Sequence, residues 1–111
     1  MAIRQYVVLS RAVSGREDEF DKWYDGKHLG DAVRVPGITS ARRYRVIKQA
    51  DTDVPAWYSL AIYDIDSDDP DRVIAAIGKA ARTEDMPISD AFTRDGLLKL
   101  LVEPMGSAAG E

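Results

Sequence analysis

Phe20, Trp23 and Tyr24 stand at i, i+3 and i+4, one apolar stripe on a helix, and the stripe then loses step. On an unbroken helix Leu29 and Val33 would fall on the side opposite Phe20. Gly26 and Gly30, both poor helix residues, bracket the slip. The chain must bury one helical face as far as Tyr24, bend or restart near His28, and then bury Leu29, Ala32 and Val33 as a second short segment. Ser14 and Glu17 have S-x-x-E spacing and predict a capping box at the helix start. Pro36-Gly37 ends the segment. His28, the single histidine of the chain, sits at the break, one turn beyond an aromatic pair.

The flanking sequence reads as strands. Residues 3–13, 38–48 and 56–65 are rich in β-branched and aromatic residues, and 97–103 form a fourth apolar run. Asp69-Pro70 predicts an N-cap with proline at the first position of a second helix, buried through Val73, Ile74, Ile77 and Ala81. Residues 83–93 read as a loop with a short turn through Met86-Pro87-Ile88, closed by Asp95-Gly96. A connection of this length reads as a movable pocket edge. The order is β-α-β-β-α-β: an α+β, ferredoxin-like fold with two helices on one face of a four-stranded antiparallel sheet. Residues 1–104 make one domain, and 105–111 a flexible tail. Tyr6, Val8, Leu60, Ile62, Leu98, Leu100 and Val102 are assigned to the face without helices. An apolar face needs a cover, and a second copy is the simplest one, so a homodimer through the sheets is expected.

A length of 111 residues suits one core, and 45% hydrophobic with 31% charged residues speaks against wholesale disorder. The net charge of −4 disfavours nucleic acid or an anionic membrane as partner. With no cysteine, disulfides, thiolate metal sites and a cysteine nucleophile are excluded. The first residues carry no signal-peptide core and no apolar run approaches a membrane span, so the cytoplasm is the expected compartment. Asp64, Asp66, Asp68, Asp69 and Asp71 do not match an EF-hand, and one histidine without cysteine argues against zinc, so no metal site is predicted. GxGxxG, P-loop and GxSxG motifs are missing, leaving nucleotide cofactors and serine hydrolysis without support.

His28 is the strongest chemical candidate, because imidazole titrates near neutrality. Tyr24 shares its helix face, and Asp25 and Asp31 stand three residues to either side, placed to fix a tautomer. The plain alternative is a helix-end histidine that caps carbonyls or meets solvent. Trp23, Tyr24, Tyr44, Trp57 and Tyr63 suit either a flat-ligand pocket or an ordinary core, and Trp23 is assigned to the core. Tyr44 and Tyr63 share their strand faces with small or polar residues, which favours a cavity wall. Among Arg42, Arg43 and Arg45, Arg42 is the candidate to line the site and the others are expected to be structural.

The run Phe20-Asp21-Lys22-Trp23-Tyr24-Asp25-Gly26-Lys27-His28, then Val35-Pro36-Gly37 and Ser40-Ala41-Arg42-Arg43-Tyr44, resembles the EthD-like branch of the dimeric α+β barrel superfamily. The resemblance implies paired ferredoxin-like subunits with a small cavity between each sheet and its helices. It implies cofactor-independent isomerases, cyclases, lyases or oxygenases acting on lactones, polyketides and aromatic catabolites, while other relatives bind haem. It carries over His28 as acid/base with Tyr24 beside it, and Gln5 as a polar cavity residue of the first strand. The several histidines of some polyketide-cyclising relatives are missing here. The expectation is a lyase or isomerase without cofactor, acting on a small aromatic, lactone or polyketide-like molecule. The alternatives are a non-catalytic ligand-binding or accessory protein and, third, a haem-binding or oxygenase relative.

Overall fold

Strands β1 (Ile3–Ala12), β2 (Ile38–Arg45), β3 (Ser59–Asp66) and β4 (Phe92–Val102) form one antiparallel sheet in the order β2-β3-β1-β4. The computed structural model describes residues 3–110. Helices α1 (Glu17–Trp23), α2 (Leu29–Val33) and α3 (Pro70–Ala80) lie on one side of the sheet. The thin axis of the molecule is 22 Å, room for one sheet and one helix layer. The fold is α+β, as the order of elements requires. Among the described residues no helix is long and apolar enough to cross a membrane.

Pairing of Tyr6 with Tyr63, Val8 with Ala61 and Ser10 with Ser59 sets the parity of the sheet. Those residues face the helices, where Tyr6, Ser10, Ser59, Ala61 and Tyr63 are all buried. Tyr6 and Val8 therefore belong to the covered face, not the bare one. Val7 and Leu9 take their places beside Leu60, Ile62, Leu98, Leu100 and Val102. The first strand is apolar at both parities, so its sequence alone does not say which side meets the helices.

The slip in the apolar stripe is a π-helical turn, Tyr24–His28, between α1 and α2. The helix does not break. Leu29 N–H donates to the Tyr24 carbonyl, i→i−5, and backbone angles stay helical through the turn. The extra residue keeps Phe20 and Ala32 on the same buried side, 0% and 1% exposed. The capping box is not formed. Gly15 turns at φ +84°, α1 begins after Arg16 with no side-chain cap, and Glu17 instead accepts weakly from Gly15 N–H at 3.4 Å. Three acids in the first turn suit the positive end of the helix. In α3 the expected start holds: the Asp69 carboxylate accepts from Arg72 N–H at 3.1 Å, ahead of Pro70.

Two irregularities re-aim side chains. A bulge at Thr39 shifts the β2–β3 register, so Ala41 and Arg43 share the helix side with Ile38. β4 starts at Phe92, five residues before the expected strand, and Asp95-Gly96 lies inside it as a bulge opposite Leu9–Arg11. Segment 81–91 is pinned at three points: Met86 is 1% exposed, Ala91 is buried, and Trp23 Nε1–H donates to the Pro87 carbonyl at 3.0 Å. Residues 105–110 are exposed and carry no regular structure.

Candidate functional site

Between the helices and the sheet lies a cavity of about 270 Å³. Its floor is Tyr6 and Val8 of β1 with Tyr63 of β3; Trp23, Tyr24 and His28 form one wall, and Ile74 and Ile77 of α3 another. Met86, Ile88 and Phe92 close one side. The lining is mostly apolar and aromatic, with a few inward polar atoms, the make-up of a small-molecule site.

His28 is held by rings. Its imidazole stacks on the Trp23 indole, centroids 4.6 Å apart at 29°, and meets Tyr24 edge-on at 5.0 Å. On an α-helix, residues five apart point about 140° away from each other. The π turn brings Trp23 and His28 together. Burial pushes the His28 pKa down to about 4, against the pull of the nearby Asp31 carboxylate. The imidazole is therefore neutral at pH 7. Its Nδ1 is enclosed and has no hydrogen-bond partner. The two flanking acids are engaged elsewhere: Asp31 with Lys27 at 3.0 Å and Arg34 at 3.8 Å, Asp25 with Arg43 at 3.0 Å.

Below the imidazole, the hydroxyls of Tyr24 and Tyr63 are 3.3 Å apart. Both rings are almost fully buried, at 2% and 3% exposure. Burial raises the pKa of Tyr24, and burial with the neighbouring Tyr24 raises that of Tyr63 well above the usual value. Both stay neutral donors. One hydroxyl donates to the other, which leaves the second proton for an acceptor in the cavity. Tyr6, tilted 6.1 Å from Tyr63, is also raised by burial.

Behind Tyr24 stands Arg43. It donates from Nε to Ser59 Oγ at 2.9 Å, pairs with Asp21 and Asp25, and lies over the Tyr24 and Phe20 rings at 4.6 and 5.2 Å. Tyr58 O–H donates to the same Asp21 carboxylate at 2.6 Å.

Of the residues singled out in the sequence, His28, Tyr24 and Tyr63 meet at the cavity, and Trp23, expected in the core, forms part of its wall. Gln5 and Arg42 stand on the bare sheet face, both donating to Asp64, which also accepts from Ser40 Oγ at 2.6 Å. Tyr44 is on that face too, 51% exposed. Trp57 lies at a sheet end, its Nε1–H donating to Gly96 O at 2.7 Å. These four do not line the cavity. Tyr6, Phe92, Arg82, Arg94 and Lys99 line it without having been singled out. Only the strand register and the chain's tertiary path bring them in. Among the described residues no group of three or more histidines, cysteines or acids is placed to hold a metal ion.

An antiparallel four-stranded sheet under two helical arms, with a buried aromatic cavity between them, defines an α+β protein of ferredoxin-like build. The chain has the fold of a crystallised ethyl tert-butyl ether D (EthD) family protein from Bacillus halodurans, with a TM-score of 0.64 over 95% of this chain and 100% of that one, at 15% identity. HapK from Hahella chejuensis matches with a TM-score of 0.56, covering 96% and 98% of the two chains at 16% identity. No family model matches the sequence, and no curated protein sequence shows significant similarity to it. The EthD-like resemblance of the first helix thus meets a matching fold across nearly the whole chain.

Proposed function

We propose that this protein is a cofactor-independent lyase or isomerase for a small aromatic, lactone or polyketide-like molecule, with His28 as the acid/base. One observation carries the reading: a neutral imidazole and a spare phenol proton converge on one aromatic-walled cavity. In the proposed step, His28 takes a proton from a carbon next to a carbonyl. The C–H electron pair becomes the enolate double bond, and the Tyr24–Tyr63 pair donates to the enolate oxygen. In an isomerase the imidazolium returns the proton to another carbon. In a lyase the enolate expels a leaving group, which the imidazolium protonates. Burial makes the neutral imidazole a weak base, but it makes the imidazolium a ready acid for that return.

The test needs no knowledge of the natural substrate. Enolisable probes, 1-tetralone and 2-coumaranone, are incubated in D₂O and deuterium uptake is read by NMR. Wild type should accelerate exchange, and His28→Gln should lose on the order of a hundredfold of that acceleration while keeping its fold. Exchange as fast in H28Q as in wild type sinks the reading.

A non-catalytic binding role draws on a different observation: no partner orients the imidazole through Nδ1. On that reading H28Q weakens ligand affinity and no exchange is catalysed. A haem-binding role would show itself as a Soret band in the purified protein.

We propose also that two copies pack through the bare sheet faces. Leu98, Leu100 and Val102 are 38%, 44% and 41% exposed there, in line with Val7, Leu9, Leu60 and Ile62. Sedimentation should give a dimer at micromolar concentration and a monomer for Leu100→Lys. A monomeric wild type refutes the pairing.

A further inference from the structure

The chain as a whole is acidic, with 19 acids against 15 bases. The cavity reverses that balance. Arg82, Arg94 and Lys99 line it, from the segment after α3 and from β4, and no aspartate or glutamate does. Among the described residues none of the three takes part in an ion pair. All three are exposed, so they stand at the mouth while the phenols lie at the bottom. Three cations without a carboxylate, at the rim of a low-dielectric pocket, focus a positive potential into it.

A second observation is independent of charge. Arg82 has a left-handed backbone, φ 69°, which an L side chain adopts at a cost and glycine adopts freely. Its N–H is held by the Met86 carbonyl at 2.9 Å, so the surrounding turn imposes the conformation. An arginine therefore occupies a position where the backbone alone would favour glycine, and it lines the cavity from there. Strained residues of this kind cluster at ligand sites, and Arg82, unlike Asp51 at a similar φ, lines the cavity.

We infer that the cavity takes a small organic anion: a carboxylate on a flat, one- or two-ring body. The charge sits at the Arg82–Arg94–Lys99 mouth and the ring lies against Trp23 and Phe92. A guanidinium recognises a carboxylate through paired N–H donors, and two of the three cations are arginines. The volume of about 270 Å³ is at the small end of ligand pockets, which admits a one- or two-ring molecule. A neutral body of the same shape gains the aromatic contacts but not the charge. This inference rests on the cavity being the ligand site and narrows the substrate class given above.

The experiment is calorimetric titration with benzoate, cinnamate and 2-naphthoate, each against its primary amide, at low salt. At least one carboxylate should bind about tenfold more tightly than its amide, since three exposed charge contacts each contribute modestly. The preference should shrink at 0.3 M salt. In R82G/R94Q it should fall to within about twofold, with amide affinity kept. R82G alone should keep or raise the urea midpoint of unfolding while losing part of the preference, which separates ligand binding from folding. No preference in any pair, no binding by any carboxylate, or an undiminished preference in R82G/R94Q overturns the inference. H28Q should retain the carboxylate preference, so failure of the proton-transfer reading and failure of the anion site give different results.

Discussion

The Arg43 guanidinium lies 4.6 Å from the centre of the Tyr24 ring, between sheet and helix and outside the cavity lining. Its side chain is 9% exposed and spans from Ser59 on the sheet to Asp21 and Asp25 on the helix. It therefore clamps the start of the π turn to the sheet and steadies the ring whose hydroxyl faces the ligand space.

Removing the clamp should cost stability. Arg43→Met leaves Asp21, 27% exposed, without its cation, and Ser59 without a donor. A loss of roughly 2 kcal/mol in urea denaturation is expected, below the full cost of breaking a buried pair because the carboxylates are partly solvated. Arg43→Lys should recover little, since an ammonium cannot serve Ser59, Asp21 and Asp25 together. Full recovery in R43K would show that charge alone is needed.

The pH dependence of stability has a window set by His28. Between pH 6.5 and about 4 the unfolded chain binds a proton at this residue that the folded chain refuses. Stability is therefore complete above pH 6.5 and falls as the pH drops toward 4, by up to about 3 kcal/mol. Asp64, lowered by the Ser40 hydroxyl and by Gln5 and Arg42 against its burial, loses its contribution only below pH 3.8. The two effects separate in range. Urea midpoints at pH 7 and 4.5 should differ clearly in wild type and much less in H28Q; an equal slope in both would assign the titration elsewhere.

The hydroxyl pair predicts a non-additive cycle. Tyr63→Phe leaves the buried Tyr24 hydroxyl without its partner, and Tyr24→Phe does the converse. Each single change should cost about 1 kcal/mol or more, and the double change less than their sum, because no orphaned hydroxyl remains. Simple additivity would mean the hydroxyls do not interact.

Gly37 turns the chain from α2 into β2 at φ +98°, and a Cβ there would stand 2.7 Å from Val73 Cγ2. Gly37→Ala should be destabilising by about 2 kcal/mol, from strain and overpacking together. Adding Val73→Ala to G37A should relieve the overpacking and leave the strain, a partial rescue visible in the thermal midpoint.

Much of the frame was legible in the sequence, and the reasons for the rest are specific. The slip between Tyr24 and Leu29 announced the π turn because an amphipathic stripe exposes any lost phase. It could not say whether the helix bends or takes in one residue. Arg42 was favoured over Arg43 for the pocket, but the bulge at Thr39 gives the helix side to Arg43 and the bare face to Arg42. Asp95-Gly96 has the composition of a turn, yet Gly96 at φ 71° serves as a bulge inside β4. Tyr44 was read from face alternation and Trp57 from its aromatic ring, and neither signal gives the distance to a cavity. The cationic mouth had no local signal, since Arg82, Arg94 and Lys99 meet only through the fold.

The π turn also bears on how chains of this fold can diverge. It takes up one residue without disturbing the phase of Phe20 before it or Ala32 after it. A lineage can therefore gain or lose a codon here and leave the core on both flanks untouched. What changes is the side chain set against Trp23. Aligned without a gap in 24–28, two such chains would run one residue out of register on one side of the turn, although their buried faces still superpose.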